Sequence, residues 1–392
     1  MSRAAAKPAI AAMIGVLFAG STVLTPLYIM YKQAFGFSQI SLTLIYAVYV
    51  IGNLCALLLF GRLSDRLGRR PLAVASMVLS IISALIFLFA HGIVALYLGR
   101  IVSGLAVGIG AGTATAWLAE LIEDETKSRA TIIATSANFI GLGTGALIAG
   151  ILAEYLPWPL HLTYVVYLVV LFVVTAFVLA APETIVRQRR PIQDISIRPR
   201  ISVPPEIRAR FIAPAITGFG ALALVGFYAA LLPSLLANQL HVANHAVAGL
   251  IFLELAVFVA GAILATQSLS SRSSMLLALA LMPPSVALIV AAQLAASMAL
   301  LIAATAVCAV TAALGYRGSL QVTNQIAPED RRAEIVSSYL ICVFAGNALP
   351  VIGIGVISTL AGPIAASLAF AATIIAFALI AFIFGLRSLP EQ

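Results

Sequence analysis

Charged side chains are scarce in this sequence, at 9% of 392 residues, where a soluble globular domain carries roughly 25%. The shortage excludes a domain with an ordinary solvated surface. Cysteine is rarer still: Cys55, Cys308 and Cys342 are the only three, and each lies inside an apolar run. That excludes a disulfide framework and leaves them as small core residues. Histidine occurs four times, as His91, His161, His241 and His245. Only His241 and His245 share the i, i+4 spacing of a two-ligand helix face, and no third ligand is nearby, so they read as loop histidines and no metal site is expected. The chain also lacks G-x-x-x-x-G-K-[ST], H-E-x-x-H and G-x-S-x-G. ATP therefore does not drive it through a Walker site, and neither an enzymatic activity nor a cofactor is expected.

Apolar sequence is what the chain has in abundance. Hydrophobic residues make up 62% of it, which at roughly 20 residues per bilayer crossing supplies about twelve spans. Helical runs fall at about 9–31, 40–60, 72–91, 93–120, 129–156 and 160–181, then at about 211–237, 246–267, 274–295, 297–322, 333–360 and 364–386. The ten-residue alternation of an outer-membrane barrel is absent. The N-terminus, "MSRAAAKPAIAAMIGVLFAG", has the basic start and apolar run of a signal peptide. Its apolar stretch continues to about Tyr31, however, long enough to cross and stay, and it reads as the first span.

Short loops between twelve spans put both termini on one side. That side receives Arg3, Lys7, Arg62, Arg66, Arg69, Arg70, Lys127, Arg129, seven linker arginines, Arg272, Arg331, Arg332 and Arg387. These are 19 of the 22 basic residues, and the positive-inside rule makes the side cytoplasmic. The net charge of +8 is thus a topology signal and implies no nucleic-acid partner. Residues 182–210, with five prolines and no amphipathic period, read as a cytoplasmic linker between an N-terminal half, 1–181, and a C-terminal half, 211–392. The halves resemble each other. A shift of 203 places Arg129-Ala130 on Arg332-Ala333, Gly143 and Gly150 on Gly346 and Gly353, and Arg69 on Arg272. The expected fold is an all-α integral membrane protein, twelve transmembrane helices in two pseudo-symmetric six-helix bundles.

The charge that does exist is concentrated in "GRLSDRLGRRP", residues 61–71, between the second and third spans. A positive-inside hairpin explains the arginines but not Asp65, nor the glycines Gly61 and Gly68 that flank it. The pattern G-x-x-x-D-x-x-G-R-R-P, on Gly61, Asp65, Gly68, Arg69, Arg70 and Pro71, resembles the signature of the major facilitator superfamily in the loop where that family carries it. The resemblance implies a cytoplasmic gate that locks the halves together, with Glu120, Arg129 and Glu183 at the family's other lock positions. Arg100, Gly104 and Gly108 in the fourth span match the R-x-x-x-G-x-x-x-G pattern of the drug:proton antiporter branch, and their spacing permits close helix packing. A third motif of that branch is partial. Gly141, Gly145 and Gly150 are present, but Ala146 stands for its proline and Ala149 for a glycine.

Three charges fall inside apolar runs: Arg100, Glu254 and Arg317. Each costs about 2.5–3.5 kcal/mol at the bilayer centre on insertion scales and is a functional candidate by default. Glu254 is the only acid deep in a span. A buried carboxyl can gain and lose a proton where arginine cannot, so Glu254, with Arg100 in contact, is the proton-coupling candidate. Arg317, Thr22, Thr25, Tyr28 and Lys32 on one face of the first span, and Tyr46, Tyr49 and Asn53 on one face of the second, are the substrate-cavity candidates. Together these readings predict a secondary active transporter of the cytoplasmic membrane, working by alternating access. Proton-coupled efflux of drugs or metabolites is the leading form, and proton-coupled import of a small organic anion the alternative. The expected partners are a small-molecule substrate, protons and the lipid bilayer, and the chain is expected to act as a monomer.

Overall fold

The computed structural model describes residues 1–60, 63–122, 127–185 and 201–388, without the side chains of Asp65, Lys127, Ser128, Arg129, Thr131 and Ser388. Gly61 and linker residues 186–200 lie outside the described residues. Among the described residues there is no strand. A chain surrounded by hydrocarbon must satisfy its backbone groups internally, and the helix does so within one segment. In order the helices are α1 (Arg3–Thr22), α2 (Tyr28–Phe35), α3 (Gln39–Phe60), α4 (Ser64–Leu67), α5 (Arg69–Leu88), α6 (Ile93–Leu121), α7 (Lys127–Tyr155) and α8 (Pro159–Ala180). The series continues with α9 (Arg208–Asn238), α10 (His245–Ala265), α11 (Ser271–Leu294), α12 (Met298–Ile326), α13 (Arg332–Ala361) and α14 (Pro363–Ser388). Twelve of them are long and apolar enough to cross a membrane, all but the short α2 and α4.

Two compact units result. Unit 1 comprises Met1–Phe37, Val48–Arg198 and His245–Leu253; unit 2 comprises Ser38–Ala47, Pro199–Asn244 and Glu254–Gln392. Helices α3 and α10 therefore each contribute to both units. Within unit 1, α1 packs on α6, α7 and α8, while α5 packs on α6 and α8. Within unit 2 the same scheme recurs: α9 packs on α12, α13 and α14, and α11 on α12 and α14. Matching neighbour relations in the two sets are what a duplicated six-helix unit produces.

Small residues set the close approaches. A Cβ on Gly141 of α7 would collide with the backbone of Gly15 in α1, and one on Gly145 would lie 2.5 Å from the Ala19 carbonyl. In unit 2, Gly346 of α13 meets the Phe219 backbone of α9 in the same way. The glycine spacing of α6 also places backbone against backbone. A Cβ on Gly104 would strike the Tyr49 carbonyl of α3, and one on Gly108 would lie 2.6 Å from that of Asn53. Large apolar side chains such as Phe172, Phe177, Ile380 and Ile383 are exposed instead of buried, as expected of surfaces that meet lipid.

The first expected span is not one helix. It stops at Thr22, turns through residues 23–27 and resumes at Tyr28. Pro26 supplies the reason, because it has no N–H to donate to the carbonyl four residues back. The backbone tightens to i→i−3 bonds, Thr25 N to Thr22 O at 2.9 Å and Leu27 N to Leu24 O at 3.1 Å. The threonine and tyrosine stripe read as one continuous helix face is thereby divided between α1, the turn and α2.

The packing predicts that Gly141→Val forces α1 and α7 apart, at a cost of about 1–3 kcal/mol. Thermal unfolding in detergent should show a lowered midpoint. Gly261→Ala, at a site with nothing within 4 Å of the added carbon, should leave it unchanged or slightly raised.

Candidate functional site

Two polar constellations stand out in unit 1. The first is built on the break between α1 and α2. Diverting the Thr25 N–H to Thr22 leaves the Ser21 carbonyl without its helical donor. Arg100, on α6 and only 1% exposed, supplies one: its Nη1 donates to Ser21 O at 2.7 Å. Its Nη2 donates to the Tyr28 hydroxyl at 2.6 Å, across the break. The guanidinium carbon lies 5.5 Å from the Tyr28 ring centre and 5.4 Å from that of Tyr49, so two aromatic faces shield the charge. Arg100 Nε and the Thr25 hydroxyl are buried with no hydrogen-bond partner among the described residues. Thr22 turns away from this centre, with its hydroxyl 2.8 Å from the Leu142 carbonyl of α7.

The second constellation gathers the charges of the opening motif. Gly68, at φ 102°, joins α4 to α5 in a backbone conformation that side chains rarely tolerate. The turn exposes the first N–H groups of α5, and the Glu183 carboxylate caps them. Arg69 N donates to Oε1 at 3.0 Å and Arg70 N to Oε2 at 2.9 Å. A Cβ on Gly68 would lie 2.7 Å from that carboxylate. The Arg69 side chain then bridges two helices. Its Nη2 donates to Glu120 Oε1 at 2.7 Å, its Nε to the same oxygen at 3.1 Å, and its Nη1 to Ser64 Oγ at 2.6 Å. The Thr184 hydroxyl donates to Glu120, and the Trp117 indole to Pro182 O at 3.2 Å, tying the chain after α8 to α6.

Arg69, Glu120 and Glu183 are thus brought together, with Gly68 making room for them. Arg70 contributes its backbone N–H. The side chains of Asp65 and Arg129 lie outside the described residues, as does Gly61. Ser64 and Thr184 were not anticipated. Thr184 was signalled only by its place directly after Glu183.

The remaining candidates sit elsewhere. Tyr49 is a wall of the Arg100 site and Asn53 meets Gly108. Tyr46 belongs to unit 2, where its hydroxyl donates to Asn347 Oδ1 at 2.8 Å. A lone asparagine in the apolar run of α13 was the available signal for that partner. Lys32 is half-buried on α2. Arg317, on α12, donates to the Thr266 carbonyl and to that of Gln267 at 2.9 Å. These carbonyls lie just past the end of α10, that of Thr266 also accepting the Leu269 N–H at 3.1 Å, so the arginine caps a helix terminus. Glu254, in the middle of α10, is half-buried, and no hydrogen bond or ion pair engages it among the described residues. At the start of the same helix, the His245 N–H and ring Nδ1 both lie 2.9 Å from Glu154 Oε2 of α7. Among the described residues no group of three metal-ligating side chains occurs.

A family profile described as the Major Facilitator Superfamily matches residues 10–349. The chain belongs to this superfamily. It is a multi-pass membrane protein. Among curated relatives, the multidrug resistance protein MdtL of Klebsiella pneumoniae is 30% identical over 97 residues, a quarter of each chain. The class C tetracycline resistance protein of Escherichia coli is 31% identical over 106 residues, 27% of this chain and 26% of the relative. The matches therefore span only about a quarter of these relatives. The superfamily fold extends along the whole chain. A D-xylose-proton symporter superposes with a TM-score of 0.80 at 15% identity, over 100% of this chain and 99% of the other. A bacterial homologue of the lysosomal transporter Spinster gives 0.75 at 15% identity, over 100% and 99%.

Because Glu183 completes the N-terminus of α5, Glu183→Ala should weaken that end by about 1 kcal/mol, the usual worth of a cap. Arg100→Met should cost more, since it strands the Ser21 carbonyl in an apolar interior. Unfolding midpoints of the two variants in one detergent should fall in that order.

Proposed function

We propose that this superfamily member exports a small organic solute, a drug or metabolite, in exchange for protons across the cytoplasmic membrane, with both termini cytoplasmic. The observation that carries the proposal is Glu254. It is a carboxyl group in the middle of a span, with no hydrogen bond or ion pair among the described residues to fix its charge. Proton exchange needs a group able to hold and release a proton as access alternates, and an unpaired intramembrane glutamate meets that requirement. The Arg100, Gly104 and Gly108 arrangement supports the antiporter form. So does the resemblance, limited to about a quarter of the chain, to drug-resistance proteins.

Anion import draws less support. Lys32, Arg100 and Arg317 outnumber the single intramembrane acid Glu254, which motivates it, but Arg100 and Arg317 are both engaged with backbone carbonyls. In this reading the Arg69–Glu120–Glu183 cluster stiffens the cytoplasmic ends of α5, α6 and α8, and Asp65 beside it takes part in the gate.

Glu254→Gln mimics the protonated form. In proteoliposomes with an imposed pH gradient, the variant should lose uphill transport of a cationic dye such as ethidium while still binding it. The pH dependence of binding seen in the parent should flatten. Undiminished gradient-driven accumulation by Glu254→Gln would remove this residue from the coupling mechanism.

A further inference from the structure

We propose that unit 1 binds a small monovalent anion, of the size of chloride, at the break between α1 and α2, held by Arg100 Nε and the Thr25 hydroxyl. Arginine stays protonated when buried, and a buried cation without an opposite charge is costly. Arg100 is such a cation. It is 1% exposed, and its two Nη groups go to partners without formal charge, the Ser21 carbonyl and the Tyr28 hydroxyl. The Tyr28 and Tyr49 rings shield the charge without cancelling it. The sequence offers no carboxylate at this depth either. In unit 1 no acid lies deeper in a span than its last two residues.

The same place has donors to spare. Arg100 Nε is buried with no hydrogen-bond partner among the described residues, and so is the Thr25 hydroxyl, on a residue itself 1% exposed. The two belong to one site. Arg100 bonds to Ser21 and to Tyr28, and Thr25 stands between them, four residues after the first and three before the second. In a helical or 3₁₀ turn both spacings return the chain to one side, and Arg100 occupies that side. Tyr28 adds a third donor, because its oxygen accepts from Nη2 and its own proton is left to give.

Buried polar atoms are nearly always hydrogen-bonded, and an exception points to a water or an ion. Charge decides between the two. A water would satisfy the donors and leave the positive charge as it was, whereas an anion accepts from all three and cancels it. Ser21, Thr25, Tyr28 and Tyr49 are all buried, so a halide fits the place and a bulky carboxylate does not. The ion joins Arg100 of α6 to the turn and to the start of α2. It is a structural constituent of unit 1, and what the protein carries across the membrane does not enter into its binding.

The test is the halide dependence of stability. Purified protein in detergent and gluconate buffer should gain about 5 °C in unfolding midpoint on titration with chloride at constant ionic strength, and the gain should saturate. Bromide should replace chloride. Thr25→Val keeps the shape and removes the hydroxyl, so half the gain should need about tenfold more chloride. Thr25→Ser should respond as the parent does. So should Thr113→Val, because that buried hydroxyl already donates to the Ile109 carbonyl at 2.7 Å. No saturable gain, or an unchanged half-saturating concentration in Thr25→Val, would overturn the proposal. Diffraction from crystals grown in bromide gives a second decision that needs no variant. An anomalous peak in contact with Arg100 Nε and Thr25 Oγ1 is expected. A water oxygen there, with no anomalous signal, would assign these donors to water and overturn the anion.

Discussion

A carbonyl that loses its helical donor inside a bilayer has no water to turn to, and much of this structure is arranged around that constraint. Pro26 breaks the first span and strands the Ser21 carbonyl. Arg100 answers from α6, with one nitrogen on that carbonyl and another on Tyr28 beyond the break. The cost of burying a guanidinium is offset by two strong hydrogen bonds and two aromatic faces. What results is a charged brace across the break between α1 and α2.

The second unit shows what the duplicated scheme looks like without the charge. There α9 runs unbroken for 31 residues. Thr305 is the eighth residue of α12, as Arg100 is of α6, and it donates to the Tyr228 hydroxyl at 3.2 Å. The same helix-to-helix relation carries a threonine and a tyrosine in one unit and an arginine and a tyrosine in the other. The charged signature of residues 61–71 is likewise matched in the second unit by a stretch whose one charge is Arg272, and there Ser270 caps α11 through its own hydroxyl. The charges Arg69, Glu120, Glu183 and Arg100 that engage one another or the backbone thus all lie in unit 1.

Helix ends are the second place where backbone polarity must be managed, and several charged side chains serve them. Glu183 caps α5, Arg317 takes the carbonyls past α10, and Glu154 takes the first N–H of α10. Arg317 and Glu154 come from a different helix than the terminus they satisfy, and Glu183 from the chain after α8. Capping across helices ties neighbouring elements together and keeps the charges of the termini paired.

The twelve spans, the duplication and the superfamily itself were legible in the sequence, because each rests on composition, period or a short local motif. The cluster members Arg69, Glu120 and Glu183 were legible as candidates for the same reason, although Ser64 and Thr184 were not. The side-chain face drawn along the first span was not legible as it stands. Pro26 marked a possible break, but helices tolerate proline elsewhere in this chain, within α9 and α11. Whether a proline bends a helix or ends it depends on which neighbour can satisfy the freed carbonyl, and that neighbour, Arg100, is 79 positions away from Ser21. Arg317 and His245 are alike in this respect. Their types and spacing suggested substrate or loop, and only the packing of α12 and α7 on the two ends of α10 gave them acceptors. Sequence fixes how apolar each segment is and where it can turn, since those are local properties. Tertiary structure decides which buried polar groups meet, since a hydrogen bond depends on distances between segments that the chain order does not contain.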